Sequence, residues 1–250
     1  MDEGDAPIGR ILGRREILAL LGGSGLAAFV AACTNAPSAT REVAPVAASA
    51  TPSAAAAAVS CIVTPALTEG PYFVDEKLER SDIRESKPGA QLALTVNVFR
   101  AATGACTPLA GATVDVWHCD ALGVYSDAAD PSFNTKGSKF LRGYQTTDAS
   151  GRAQFTTIYP GWYQGRAVHI HFKIRTAAGG RTADFTSQFF FDEAMNDQVF
   201  AQQPYAQKPA SGRTRNERDG IYQDSGGKTT LSVAQAGSLY TASFNIGLTG

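Results

Sequence analysis

The sequence predicts an all-β chain: an antiparallel β-sandwich with long functional loops and little helix. Three observations carry that prediction. Short segments in which apolar and polar residues alternate recur from Gln91 to the C-terminus. Turn residues rather than helix caps separate them, as in "DASG" at 148–151. Helical periodicity is weak except in "DEAMNDQVFA" at 192–201, which predicts one short helix. The chain has 250 residues, of which 44% are hydrophobic and 18% charged, enough apolar material for a sizeable core. A net charge of −1 provides no basic field that would attract nucleic acid.

Residues 1–33 read as an export signal. Arg14 and Arg15 precede an apolar run, 17–32, that is too short and too rich in Ala and Gly to span a bilayer comfortably. The paired arginines favour the twin-arginine route. "VAAC" at 30–33 is similar to a bacterial lipobox, in which case Cys33 carries a lipid; a cut elsewhere without lipid is the alternative. Residues 34–60 are almost entirely Ala, Pro, Ser, Thr and Val, the composition of an extended tether. The folded domain is therefore expected over 61–250, in the periplasm or outside the cell, touching a membrane only through the lipid.

Cysteine bookkeeping fits that address. With Cys33 spent, Cys61, Cys106 and Cys119 leave room for one disulfide. Cys106 and Cys119 flank a predicted strand and are expected near its opposite ends, beyond the ~7 Å Cα limit for a bridge. Cys61 is the expected partner of one of them, with Cys106 favoured.

The strands follow in order. "QLALTVNVF" at 91–99 sets Leu92, Leu94, Val96 and Val98 on one face. "ATVDVWH" at 112–118 sets Val114, Val116 and His118 against Asp115 and Trp117, so His118 reads as an interior residue, in the core or beside a site, and Cys119 as a buried thiol or disulfide partner. "RGYQTT" and "RAQFTTIY" flank the "DASG" turn and predict a hairpin. "TSQFFFD", "KTTLSV" and "LYTASFNIGL" complete the set. Segments 120–140 and 200–222 are expected to be loops that carry function.

One strand carries chemistry. In "PGWYQGRAVHIHFKI" at 160–174, Ile170, Phe172 and Ile174 share one face, so His169 and His171 share the other. Two imidazoles about 7 Å apart along one strand face can converge on a single ion. Tyr163 lies just before this strand, and Tyr125, in "DALGVYSD", just after the strand that ends at His118. A tyrosine at a strand end is commonly a rim residue with a wet hydroxyl, so spacing alone leaves both roles open.

"TEGPYF" (68–73), "LAGATVDVWHCDALGVYSD" (109–127), "GYQTTDASGRAQFTTIYPGWY" (143–163) and "RAVHIHFKI" (166–174) resemble, in this order, the signature blocks of intradiol ring-cleavage dioxygenases. These are similar to the protocatechuate 3,4-dioxygenase and catechol 1,2-dioxygenase groups, and the resemblance covers roughly 61–192. It implies one non-haem Fe(III) per chain, held by Tyr125, Tyr163, His169 and His171. Phenolates are hard anionic donors suited to ferric iron, and imidazoles complete a mixed N/O set. The implied reaction takes a small aromatic diol and O2, opens the ring between the two hydroxyls and yields a cis,cis-muconate-type diacid.

By position, Tyr163 takes a substrate proton, Arg166 stabilises developing negative charge, and Gln188 lines the pocket and contacts substrate. Gly70, Pro71 and Tyr72 wall the ring side, Tyr72 within reach of a ring substituent. The chain departs from the family in having no helical dimerisation region before the sandwich, which implies a monomer or simple homo-oligomer. Its Tyr-to-His connection is also short, which opens the mouth of the site to bulkier catechols. No second basic residue is assigned to a substrate carboxylate, so catechol is favoured over protocatechuate. Two alternatives stay open on the residues themselves. One is a non-catalytic exported β-sandwich binding module. The other is a zinc hydrolase using His169, His171 and a carboxylate such as Asp120.

Overall fold

The computed structural model describes residues 62–102, 105–178 and 181–249. The export signal, the lipid site at Cys33, the tether and Cys61 lie outside them. Of two compact units, Met1–Ser53 and Ala54–Gly250, every described residue belongs to the second.

In chain order the strands are β1 (Ile62–Val63), β2 (Gln91–Ala102), β3 (Ala105–Pro108), β4 (Thr113–Trp117), β5 (Ala129–Asp130), β6 (Phe133–Asn134) and β7 (Arg142–Thr146). They continue with β8 (Arg152–Ile158), β9 (His169–Ala178), β10 (Arg181–Phe191), β11 (Thr230–Leu231), β12 (Val233–Ala236) and β13 (Leu239–Thr249). Two helices, α1 (Glu193–Phe200) and α2 (Gly220–Ser225), interrupt the loops between β10 and β11. The predicted helix is α1, started by the Asp192 carboxylate accepting from the Ala194 and Met195 amides.

Two sheets form a sandwich. One contains β1, β13, β2 and β3 in that order, with β12 alongside β13 and β8 alongside β2; the other runs β11-β10-β9-β4-β7. Apolar alternation drives the packing. Leu94, Val96 and Val98 of the first sheet meet Val114, Val116, Ile170, Phe172 and Ile174 of the second in one buried cluster. Phe172 stacks on Phe189 with centroids 4.2 Å apart, and Phe244 of β13 reaches Phe189 at 5.2 Å.

Two expectations change. The sandwich is not wholly antiparallel, because β13 pairs with β2 in parallel, Tyr240 opposite Leu92. Hairpins force antiparallel neighbours; β13 reaches β2 after a long excursion through the other sheet and is free of that constraint. The "DASG" turn makes no hairpin either: β7 pairs with β4, while β8 crosses to the first sheet and pairs with β2. Its reversal is as expected, with Asp148 Oδ1 accepting from the Ser150 and Arg152 amides. Local turn chemistry sets a reversal but does not choose the partner strand.

Cys106, on β3, is disulfide-bonded to a residue outside the described ones, and Cys119 is a free buried thiol. The core uses one face of the second sheet. Its other face carries His169, His171, Gln188 and Trp117, and loops together with the small two-stranded β5–β6 sheet cover it.

Candidate metal centre

Cross-strand register builds the floor of the site. His171 lies opposite Trp117 of β4 on one side and Gln188 of β10 on the other. The His171 ring stacks on Trp117 at 5.0 Å and 10° between planes. His169 pairs with Phe190 one step along. Both histidines are buried, at 2% and 1% exposure.

The two tyrosines arrive on loops that touch backbone to backbone. A Cβ on Gly161 would sit 2.4 Å from the Ala121 carbonyl oxygen, and one on Gly123 2.2 Å from that of Trp162. Only glycine permits these approaches. The Gly161 amide donates to the Asp120 carbonyl at 3.0 Å, closing loop 120–125 on loop 160–163. Tyr125 is thereby buried, with its ring stacked on Tyr72 at 4.4 Å, while Tyr163 stays half-buried.

Four donor atoms converge. His169 Nδ1 lies 2.7 Å from the Ala167 carbonyl, which can only accept, so Nδ1 carries the hydrogen and Nε2 presents its lone pair. That Nε2 has Tyr163 Oη at 3.2 Å, Tyr125 Oη at 3.4 Å and His171 Nε2 at 2.9 Å. One lone pair accepts one hydrogen well, so three polar neighbours over-subscribe it. His171 Nδ1 is buried with no hydrogen-bond partner. A cation at the focus resolves the crowding, with both Nε2 lone pairs and both phenol oxygens turned to it and the His169 Nδ1–H already anchored to backbone. The donor set, two imidazoles and two phenols, fits Fe(III).

Electrostatics point the same way. Burial pushes the Tyr125 phenol well above its ordinary value, and neighbouring Tyr163 adds to this; burial also raises Tyr163. Burial pushes His169 down to about 3, with nearby Arg166 adding, and holds His171 well below the usual range. The four donors are therefore neutral by themselves, and only a cation gives the phenolates a partner.

Arg166 and Gln188 form a bracket beside the donors. Arg166 Nε donates to Asp219 Oδ2 at 2.9 Å and its Nη2 to Gln188 Oε1 at 2.6 Å. Gln188 Nε2 donates onward to the Thr68 carbonyl at 2.8 Å, so both ends of the fully buried amide are engaged within the protein. Asp219 Oδ2 also accepts from the Ala167 amide at 2.7 Å, tying it to the start of β9. Burial raises the Asp219 carboxyl, but Ala167 and Arg166 more than offset this and hold it below the usual carboxylate range.

Of the "TEGPYF" residues, Gly70 lies over His171, where an added Cβ would be 3.1 Å from Cε1, and Pro71 is exposed on the adjoining turn. Tyr72 donates its hydroxyl to Asp130 Oδ2 at 2.8 Å. Its phenol is raised to about 12 by burial and by that carboxylate. His118 lies apart from the donors: Nδ1–H donates to the Cys119 carbonyl at 2.8 Å, and Nε2 accepts from the Thr157 hydroxyl at 2.6 Å. Asp120 is used by Lys87 at 2.9 Å and by the Leu122 and Val124 amides, so it supplies no third ligand to a His-His-carboxylate centre. Among the described residues no group of three or more His, Cys, Asp or Glu gathers to hold a metal.

Sequence reading missed Asp219, Arg142 and Lys208. Arg142, 2% exposed, donates to the Ser126 hydroxyl and carbonyl and to the Tyr72 carbonyl, gripping both sides of the Tyr72–Tyr125 stack. Each meets its partners at the site across 16 residues or more. Only Asp219 has a local signature, as the cap of α2 whose carboxylate accepts from the Ile221 and Tyr222 amides, and that signature does not point to Arg166. Beside Tyr125 and Tyr163 opens a cavity of about 630 Å³, walled also by Tyr72, Asp130, Trp162 and Lys208.

A dioxygenase family model matches residues 63–248, well over half of the chain. Catechol 1,2-dioxygenase 2 of Acinetobacter lwoffii is 34% identical over 137 residues, 44% of this chain and 46% of that protein. Chlorocatechol 1,2-dioxygenase of Pseudomonas putida is 29% identical over 148 residues, 50% of this chain and 52% of that one. The chain thus spans about half the length of the curated relatives it matches. An intradiol ring-cleavage dioxygenase from Tetranychus urticae superposes with a TM-score of 0.66 at 32% identity, over 76% of this chain and 95% of that chain. The dioxygenase domain of a carbohydrate-binding fusion protein from Streptomyces sp. SirexAA-E gives 0.54 at 30% identity, over 75% and 99%. Matched over its whole described sandwich, the chain belongs to the intradiol ring-cleavage dioxygenase family.

Proposed function

We propose that the chain cleaves catecholic rings between their two hydroxyls with O2, giving a cis,cis-muconate-type diacid. The observation that carries this reading is the convergence of two tyrosine hydroxyls and two histidine Nε2 atoms beside an open cavity. Tyr125, Tyr163, His169 and His171 would hold one Fe(III). When bound there, the ion supplies Lewis acidity that polarises the diol oxygens and readies the ring for O2.

The chain's own residues do the rest. Tyr163, half-buried and lining the cavity, takes up a diol proton at Oη. Tyr125, buried and stacked, stays in place. Arg166, fixed by Asp219 and Gln188, presents positive charge at the edge of the donor cluster, where negative charge develops on the ring. Gln188 holds Arg166 in this structure, so we assign it positioning rather than substrate contact. Tyr72 and Gly70 shape the wall against which the ring lies.

The reaction balances without a further reductant, because both atoms of one O2 enter one product. Turnover of catechol under 18O2 tests this: two labels in a single ring-opened diacid are expected, and a single label or release of peroxide would sink the reading. We further read the chain as an exported, lipid-tethered monomer or simple homo-oligomer, on the strength of Arg14, Arg15 and "VAAC". Loss of membrane association in Cys33→Ala is the expected result.

A further inference from the structure

The cavity beside the two tyrosines is lined by one carboxylate and one ammonium. On one wall lies Asp130, its carboxylate taken by the Tyr72 hydroxyl at 2.8 Å. On another lies Lys208. Its ammonium donates to the Trp162 carbonyl at 2.8 Å and the Leu122 carbonyl at 3.1 Å, and sits 4.1 Å from the centre of the Trp162 ring. An ammonium has three hydrogens, so one donor is left over.

No carboxylate of the described residues forms an ion pair with Lys208. The carboxylate that acts on it through space, Asp120, is committed to Lys87 at 2.9 Å. Burial pushes the Lys208 ammonium below its ordinary value, although Asp120 opposes that shift. A half-buried cation whose fixed partners are all neutral favours an anion brought by something else.

Lys208 is also held firmly. Arg213, 8% exposed, bridges Glu193 and Asp197 of α1, and Tyr205 donates to the Tyr159 carbonyl at 2.6 Å. These contacts bracket Lys208 on both sides, so its charge is presented from a fixed segment. A cavity of about 630 Å³ falls within the range of drug-sized ligand sites, roughly 300–1,000 Å³, and exceeds the need of an unsubstituted ring.

We infer that Lys208 is a specificity-determining residue that receives the carboxylate of a catechol carrying an anionic group on its ring or a short side chain. This rests on the ring-cleavage reading above and names the substrate class for the same site. It also revises the expectation that unsubstituted catechol is favoured. Asp130, which lines the same cavity, repels that carboxylate, so the two charges bias how the substrate lies in it. Trp162 supplies an apolar surface between the tyrosines and Lys208 for the rest of the side chain.

The test compares 3,4-dihydroxycinnamate with its methyl ester, binding anaerobically to the iron-loaded protein in a calorimeter. The pair differs in one charge and keeps the diol. In Lys208→Met the Kd of the acid should rise about tenfold or more, the scale of one charge-assisted hydrogen bond. The ester should move less than about twofold, and Lys208→Arg should keep the preference for the acid. If acid and ester weaken together, Lys208 merely clamps the Leu122 and Trp162 loops and the inference fails. Unchanged binding of both overturns it too. Oxygen uptake by the wild type with catechol and with 3,4-dihydroxycinnamate decides the ring-cleavage reading separately: uptake with neither sinks that reading, whereas charge discrimination in binding does not depend on turnover.

Discussion

At the scale of single residues, the site is a set of neutral, buried groups waiting for charge. His118 shows the principle away from the metal donors. Burial presses it down to about 4 from an ordinary 6.5, although its bond to the Cys119 carbonyl opposes this. Its folded value lies below its unfolded one, so its contribution to stability is complete above pH 6.5. That contribution is lost as the pH falls towards about 4. Metal-free wild type should therefore lose stability over that window more steeply than His118→Gln, read from denaturation midpoints at each pH; equal slopes would contradict the assignment. Asp219 is a second case. It touches none of the four donors, but it fixes Arg166 and the Ala167 amide. Asp219→Asn should leave iron content unchanged and lower kcat by up to about 10²-fold through misplacement of Arg166. Lost iron with proportionate loss of activity would instead make Asp219 a general structural support.

At the scale of elements, alternation made much of this legible. The His169–His171 face, the Val114–Val116 face and the helix at Glu193–Phe200 are all where period and capping place them. Partner choice was not legible. "DASG" reads as a hairpin, yet its two flanking strands join different sheets, because the register of β8 is set by β2 and that of β7 by β4. The roles of Asp219, Arg142 and Lys208 at the site were invisible for a related reason: each reaches it through contacts far along the chain, with no periodic signature, and the helix cap that Asp219 also makes says nothing of Arg166. The loop contact that brings Tyr125 beside Tyr163 depends on glycine in a way the sequence only hints at. Gly161→Ala should push the backbone of 160–163 off Ala121 and lower iron stoichiometry. Gly220→Ala, with open space around it, should leave stoichiometry unchanged. Full iron loading in Gly161→Ala would show that the loops tolerate separation.

At the scale of the whole molecule, one sheet serves two purposes. Its inner face packs the sandwich and its outer face carries the candidate metal centre, so core packing holds the donors in register. Phe189 lies in that core between Phe172 and Phe244 while its neighbour Gln188 faces the site. Phe189→Ala should cost about 3–5 kcal/mol in urea denaturation, and a loss under about 1 kcal/mol would mean the two layers are not packed as described. The central claim is that Tyr125, Tyr163, His169 and His171 form one ferric site. The direct measurement is the visible spectrum of the iron-loaded chain, before and after catechol is added without oxygen, alongside Tyr125→Phe. The account predicts a red-brown tyrosinate-to-iron band that shifts when the diol binds and is weakened or lost in Tyr125→Phe. A colourless protein with iron bound, or a band indifferent to Tyr125→Phe, would contradict it.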